Sequence, residues 1–501
     1  MNYKMLKYII GQLLIAEGAL MVLPLVTMLC YGEWEMLYAF LIPMGVLFLL
    51  GLLFSVRKPE KKTLSATDGF VVVGLSWVIL SFFGCLPFVL SDLIPNFVDA
   101  YFETVSGFTT TGASVLSAAD FDKLWSPADP ALGMRGVFLW RSFTNWIGGM
   151  GVLVFVLAIM PQQDMKSSRL VHIMRAEMPG PKVDKLVATV KKTAGIMYAI
   201  YIVLTLIQVV MLLFGGMGFY ESLCTSFSTA GTGGFAVWGD SMMSFSGTVA
   251  HPNYCVWVIA VFMFIFSINF NLYFLIISGK LLSVLLSEEL RWFTGIVVIS
   301  TAAITANIYH TCGNFADALR QSFFQVSTII STTGFATTDF DLWSNFAKTL
   351  LLVLMFVGAC AGSTGGGIKV SRIVISVKST WAEIRHMTSP KQVKKVFFEK
   401  KSVDQDTVRG TFAYMVAYML IFFVSFLLIA MFDGQSIETS FSSVAACINN
   451  IGPGLDAVGP TCNFAFYSPM SKIVLILDML LGRLEIFPIL LLFSPSTWRE
   501  K

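Results

Sequence analysis

The chain has 501 residues, of which 56% are hydrophobic and only 13% charged, with a mean hydropathy of +0.74. Soluble proteins of every ordinary class are far less apolar, so the composition excludes them and specifies a polytopic membrane protein. The formal net charge of +3 is uninformative as a total, and no nucleic-acid partner is expected.

A spanning helix needs ~20 predominantly apolar residues. The N-terminus, MNYKMLKYIIGQLLIAEG, has a basic start and an apolar run but continues past Glu17 without a small-residue cleavage site. It reads as a retained first helix rather than a removed signal peptide. Apolar stretches at 8–30 and 36–56 make two N-terminal helices. Eight more follow in pairs, at 69–91 and 134–160, 193–214 and 254–286, 293–311 and 348–376, 411–432 and 470–494. Within each pair lies a short polar stretch bearing glycine: FTTTGAS (108–114), GTGGFA (231–236), STTGFA (331–336) and NNIGPGL (449–455). Each is preceded by a half-helix with small, hydroxyl and aromatic residues: FVDAYFETVSGF, GFYESLCTSFST, FADALRQSFFQVST and SIETSFSSVAAC.

The loop glycines recur at intervals of roughly 100 to 120 residues, the scale of an internal repeat. The expected fold is therefore an all-α polytopic membrane protein. Four parallel, pseudo-fourfold helix–pore loop–helix repeats surround a central pore, with two N-terminal transmembrane helices added. The expected boundaries are 1–68 for the two helices and a cytoplasmic loop, 69–192 for repeat one and its linker, 193–292, 293–410 and 411–501.

The distribution of charge gives the topology. Lys and Arg crowd into 57–62, 166–192 and 369–409, whereas Asp92, Asp99, Asp120, Asp122, Asp129, Asp240, Asp339, Asp341 and Asp456 lie in the alternate connections. The positive-inside rule makes the basic loops and both termini cytoplasmic and puts all four glycine loops on the outer side. An acidic outer rim raises the local cation concentration, an effect that salt weakens.

Hydrocarbon offers no hydrogen-bond partner, so non-helical backbone at membrane depth is tolerated only where it is buried in protein or lines a wet path. Four such loops entering from one face suggest one path. Carbonyl rings built from Thr-x-Gly loops replace an ion's hydration shell, because glycine lets the backbone turn its oxygens to the axis. The candidate filter residues are Thr110, Thr111 and Gly112; Thr232, Gly233 and Gly234; Thr332, Thr333 and Gly334; and Asn450, Ile451 and Gly452. The pore half-helices point the negative ends of their dipoles inward, which favours a cation. The competing reading makes these glycines small-residue helix contacts, but such contacts have no reason to recur between helices at four matching positions.

AGSTGGGIK (361–369) has a superficial likeness to a phosphate-binding loop, but Ile368 follows the glycines where lysine is needed and no strand precedes it. Gly365, Gly366 and Gly367 each cost about 1 kcal/mol of helix propensity relative to Ala, so the helix from about 348 should open there. Arg483 lies in an apolar helix, where it must face a wet interior, pair with a carboxylate such as Asp478 or Glu485, or snorkel to the surface. Asn145, Asn269 and Asn271 either line a cavity or bond between helices. Arg141 suggests a structural ion pair. The eight cysteines are scattered without a C-x-x-C pair and read as packing, and a disulfide between Cys255 and Cys462 does not follow from sequence. His172, His251, His310 and His386 have no ligand spacing, so an enzyme is not expected.

The four loops, with RAEMPGPKVDKL (175–186), GACAGSTGGGIKVSR (358–372) and GRLEIFP (482–488), resemble the Trk/Ktr/HKT superfamily of potassium transporters and, within it, the bacterial Trk-type potassium uptake subunits. The resemblance spans essentially the whole chain. It implies one filter glycine per repeat and, with Gly112 where some plant members carry serine, potassium selectivity with rubidium as a surrogate. The second loop's extra glycine, Gly233, and the absence of threonine from the fourth depart from the pattern and put a strict fourfold site in question. The resemblance further implies that Gly362, Ser363, Thr364, Gly365, Gly366 and Gly367 form an intramembrane gating loop beneath the filter, which Arg483 contacts. It implies a homodimer with a pore in each protomer, residence in the bacterial inner membrane among its lipids, and docking of a cytosolic TrkA-type nucleotide-binding regulatory subunit. No covalent cofactor is expected: potassium is the substrate, and any NAD or ATP dependence belongs to that partner. The preferred activity is gated, channel-like potassium uptake driven by membrane potential. Symport coupled to protons or sodium and a non-conducting membrane scaffold are the alternatives.

Overall fold

The computed structural model describes residues 2–56, 65–125, 133–151, 190–389 and 395–498. The motif at 175–186 and the basic run at 57–62 lie outside them. The described chain is helical, and its one sheet is a short antiparallel hairpin pairing Phe397–Phe398 with Lys401–Ser402.

Tyr3–Leu20 and Val22–Tyr31 run on as one N-terminal span, which packs against Tyr38–Ser55. Gly11 and Gly51 make the close contact: a methyl group on either would come within 2.9 Å of the other's carbonyl oxygen. This is the small-residue packing common between membrane helices.

Four repeats follow. Their first helices are Ala66–Gly84, Val190–Phe214, Glu288–Cys312 and Gln405–Asp433, and their pore helices are Phe97–Phe108, Phe219–Gly231, Phe315–Ile330 and Ile437–Ile448. Asn96, Asn314 and Ser436 cap three of the pore helices, each side chain accepting a backbone N–H of the first turn. Asp99, Glu221, Asp317 and Glu438 stand in the four first turns, where acids complement the helix dipole. The inner ends of the pore helices are buried, as in the unbroken run from Phe102 to Phe108. By contrast the outer helix Gln405–Asp433 exposes Val416, Leu420 and Leu427, each at 60% or more. An apolar outer ring of this kind marks contact with lipid.

Among the described residues, six segments are long and apolar enough to cross a membrane: Tyr3–Tyr31, Trp34–Ser55, Thr67–Leu90, Ala194–Phe214, Glu288–Cys312 and Gln405–Asp433. The difference from the roughly ten spans expected from hydropathy lies in the second helix of each repeat, where the chain breaks. In repeat one the helix Arg135–Gly149 stops at a glycine-rich step, and in repeat two Pro252–Phe266 and Phe270–Ile277 meet at 94°. In repeat three Asn345–Met355 and Val370–Thr388 flank the glycine-rich loop. In repeat four Pro469–Arg483 and Phe487–Phe493 are separated by Glu485 and Ile486, both at positive φ. Only the third break was expected from sequence. The others are made by Gly149 and Gly151, by Asn269 capping the half-helix it precedes, and by Pro488 in the first turn of the last helix. All eight cysteines are free, Cys255 buried and Cys462 exposed.

Candidate functional site

The four glycine loops share one backbone conformation. Thr110, Thr232, Thr332 and Asn450 have φ of 56, 55, 60 and 55°, and two residues later Gly112, Gly234, Gly334 and Gly452 have φ of 81, 72, 86 and 101°. Left-handed backbone is uncommon for threonine and recurs where surrounding structure enforces it. The enforcement is a repeated bond from the intervening residue back to the pore helix: Thr111 to Ser106, Gly233 to Ser228, Thr333 to Thr328 and Ile451 to Ala446, N–H to carbonyl, at 2.8 to 2.9 Å.

The loops meet in a closed ring. A methyl group on Gly112 would strike the carbonyl oxygen of Gly233, one on Gly234 that of Thr333, and one on Gly334 that of Ile451. On Gly452 it would lie 2.8 Å from the carbonyl oxygen of Thr111, which closes the circuit. Eight of the twelve residues singled out from sequence, Thr111, Gly112, Gly233, Gly234, Thr333, Gly334, Ile451 and Gly452, therefore meet in one circuit, and the other four adjoin it in the chain. Where the fourth loop lacks threonine, Asn450 takes over: its Nδ2 donates to Thr111 Oγ1 and to the Met479 carbonyl, both at 2.9 Å. The backbone is fourfold even though the side chains are not.

A buried ion pair braces the ring from behind. Arg141 Nε donates to Glu103 Oε1 at 2.6 Å and its Nη1 to the Ala236 carbonyl at 3.0 Å, with the guanidinium 3.6 Å from the centre of the Phe235 ring. Glu103 also accepts from Ser114 Oγ and the Val115 N–H, at 3.0 and 2.8 Å. One pair thus fixes the segments leaving loops one and two. Arg141 is the structural partner expected. Glu103 was missed, although a lone carboxylate on the apolar pore half-helix signals a buried charge in need of a partner.

The glycine-rich segment of repeat three folds back on itself through the Gly358 N–H and the Ile368 carbonyl, 2.8 Å apart, with Gly362 and Gly367 at φ of 70 and 67°. It seats in the broken helix of repeat two. The Cys360 N–H donates to Ser267 at 3.1 Å, the Phe270 N–H to Gly362 at 3.0 Å, and Thr364 Oγ1 to Phe266 at 3.1 Å. Its tip presses on the inner side of the ring: the Gly366 N–H donates to Thr332 Oγ1 at 2.6 Å, and Lys369 Nζ donates to the Gly365 carbonyl. A side chain at Gly366 would lie 2.7 Å from the Asn449 carbonyl, so only glycine permits this approach.

Arg483 contacts the same loop. Its Nη1 donates to the Thr364 carbonyl at 2.7 Å, and its Nη2 to the Gly148 and Gly149 carbonyls at 2.5 and 2.7 Å. Gly148 and Gly149 end the second helix of repeat one, where the dipole attracts a cation. A side chain on repeat four therefore ties repeat one to the loop of repeat three, beside a cavity of about 40 Å³ that Gly149, Gly362, Gly366 and Arg483 help to line. The carboxylates expected to neutralise Arg483 are engaged elsewhere: Glu485 pairs with Arg372, and Asp478 accepts from Ser425 Oγ at 2.7 Å. Carbonyl oxygens, supplied where helices break, accept from its guanidinium. Of the asparagines, Asn145 bonds across helices to Ser228 Oγ at 3.3 Å, and Asn269 caps a helix by accepting from the Asn271 N–H at 2.9 Å.

Comparison with known proteins agrees with this arrangement. A family model described as TrkH, cation transport protein, matches residues 39–500. The Trk system potassium uptake protein TrkH of Salmonella typhimurium is 35% identical over 510 residues, with 100% of both chains covered. The Trk system potassium uptake protein TrkG of Escherichia coli is 32% identical, covering 100% of this chain and 99% of its own. The crystal structure of the potassium transporter TrkH from Vibrio parahaemolyticus superposes with a TM-score of 0.86 at 31% identity, over 100% of each chain. The chain belongs to the TrkH family of cation transport proteins.

Proposed function

We propose that the chain takes up potassium across the bacterial inner membrane through a selective, gated pore. The observation that carries this reading is the closed ring in which a side chain on each glycine would meet a carbonyl of the next loop. In it the carbonyls of Thr111, Gly233, Thr333 and Ile451 replace the water shell of a dehydrated potassium ion, and the C-terminal ends of the four pore helices favour its charge. The ion moves down the membrane potential: 100 mV is equivalent to about 2.3 kcal/mol per monovalent cation, or roughly 50-fold accumulation. Below the ring, the loop 362–367 and Arg483 form the gate, closed by the three carbonyl contacts of the guanidinium.

The same reading makes the protein a homodimer with a pore in each protomer, with both termini cytoplasmic. A cytosolic TrkA-type subunit acts on the basic cytoplasmic stretch 369–409, so NAD or ATP dependence enters only through that partner. The relatives' naming as Trk system proteins supports a multi-component assembly. The test is the reversal potential of the purified protein in a planar bilayer with opposed potassium, sodium and proton gradients. The proposal expects it to follow potassium alone. A shift with pH or sodium indicates coupled transport, and absence of current indicates a scaffold.

A further inference from the structure

Arg483 and Thr332 hold the side of the glycine-rich loop that faces the ring. Its opposite side is held by a separate chain of groups that ends at an exposed turn. Glu289 is buried near the start of the helix Glu288–Cys312, and its Oε1 accepts the Ala361 N–H at 2.8 Å. Ala361 stands between Cys360 and Gly362, two of the three residues that fasten the loop to the broken helix of repeat two. The backbone N–H of Glu289 donates in turn to Glu399 Oε1 at 3.0 Å, and Ser287 Oγ donates to the same oxygen at 2.8 Å. The Glu399 carboxylate thus caps the positive end of a helix whose first-turn side chain holds the loop.

Glu399 and Lys400 are the central residues of the hairpin turn joining Phe397–Phe398 to Lys401–Ser402, with φ of 50 and 60°. Two-residue turns of this geometry ordinarily use Asn-Gly, because both positions are left-handed. Residues with side chains persist there only where their surroundings over-determine them. Here the surroundings are the same helix start: the Glu399 N–H donates to Glu288 Oε2 at 3.3 Å, and Lys378 Nζ bonds both Glu288 and the Phe397 carbonyl, the latter at 2.9 Å. The strained turn is fastened to Glu288 and Glu399 is fastened to Glu289, so the hairpin and the loop are linked through one helix N-terminus.

We propose that the Glu399–Lys400 turn is the handle of the glycine-rich loop: Glu399 positions Glu289, Glu289 positions Ala361, and displacement of the hairpin by a cytosolic partner frees the loop from below. This rests on the reading of that loop as the gate. Glu289 and Glu399 are positioning residues and contribute nothing to the ring of carbonyls.

Cys360, fully buried beside Ala361, is a native reporter, and the equally buried Cys85, Cys224 and Cys447 are internal controls. The full chain in proteoliposomes is treated with N-ethylmaleimide. Labelling of each cysteine is followed by mass spectrometry and rubidium flux is measured in parallel, for Glu399→Ala, Glu289→Ala, Glu289→Gln and Arg483→Ala. Both alanine variants at the glutamates should label Cys360 about fivefold faster, the factor represented by one typical hydrogen bond, and should raise flux while the control cysteines stay protected. Glu289→Gln keeps an oxygen that accepts from Ala361 and should stay near wild type. Unchanged Cys360 labelling in either alanine variant overturns the handle, as does simultaneous labelling of all four cysteines, which indicates general loosening. If Arg483→Ala raises flux while the glutamate variants do not, the handle falls and the gate stands. If Arg483→Ala is also silent, the gate reading falls and this proposal falls with it.

Discussion

On the proposed gate, Arg483 bridges two elements that separate when an ion passes, and its replacement by alanine removes that bridge. The guanidinium holds the Thr364 carbonyl with one nitrogen and the Gly148 and Gly149 carbonyls with the other. Opening has to break at least one side. A hydrogen bond from a charged donor contributes about 1.5–3 kcal/mol, so losing one side shifts the closed-to-open equilibrium by roughly 10- to 150-fold. Basal rubidium flux in proteoliposomes without any cytosolic partner should rise by that factor, up to the limit set by the fully open pore. Arg483→Lys separates charge from geometry: an ammonium keeps the positive charge but lacks the fork that spans both sets of carbonyls. Its flux should lie between wild type and alanine. Wild-type flux from Arg483→Ala, in protein that remains monodisperse and folded, would falsify the reasoning.

Gly112→Ser places a side chain at φ 81° against the Gly233 carbonyl, so the ring must deform. Potassium over sodium discrimination in bilayer recordings should fall, and retained discrimination would mean that this loop does not read the ion. Glu103→Gln leaves Arg141 buried without its charge partner, which costs about 3–5 kcal/mol. Thermal denaturation in detergent should show a clear loss of stability, larger than for the paired replacement Glu103→Leu with Arg141→Met. At the start of the fourth pore helix, the hydroxyls of Ser436 and Thr439 each donate to Asp456 Oδ2 at 2.6 Å and hold its carboxyl below the usual range. A depressed carboxyl gives stability that is complete above its unfolded-state pKa of about 3.9 and is lost as pH falls through its lower folded value. Ser436→Ala with Thr439→Val should therefore flatten the stability–pH curve below about pH 4, and an unchanged acid limb would contradict this.

The loops were legible in the sequence because their signal is local: a polar, glycine-bearing stretch after an apolar half-helix has no other economical reading at membrane depth. The glycine run 365–367 announced its helix break for the same reason. Less visible were the breaks at Gly149, Asn269 and Glu485–Ile486, because hydropathy averaged over a window passes across a two- or three-residue interruption. The partners of Arg483 were missed for a related cause. A cation in an apolar helix suggests a carboxylate, and the sequence offers Asp478 and Glu485 nearby, but the carbonyls that accept from it belong to Gly148, Gly149 and Thr364. Carbonyls leave no mark in composition and depend on where distant helices end. Asn450 shows the converse case: its amide looked like a departure from the threonine pattern, and only the fold shows it bonding loop four to loop one.

In the proposed filter the carbonyl oxygens of Thr111, Gly233, Thr333 and Ile451 together bind a dehydrated alkali cation. Crystals grown in rubidium and measured at its absorption edge test this directly. The account predicts an anomalous peak on the axis of the ring, within coordination distance of all four oxygens, that sodium does not displace. A ring empty of rubidium, with the ion bound elsewhere in the chain, would contradict it.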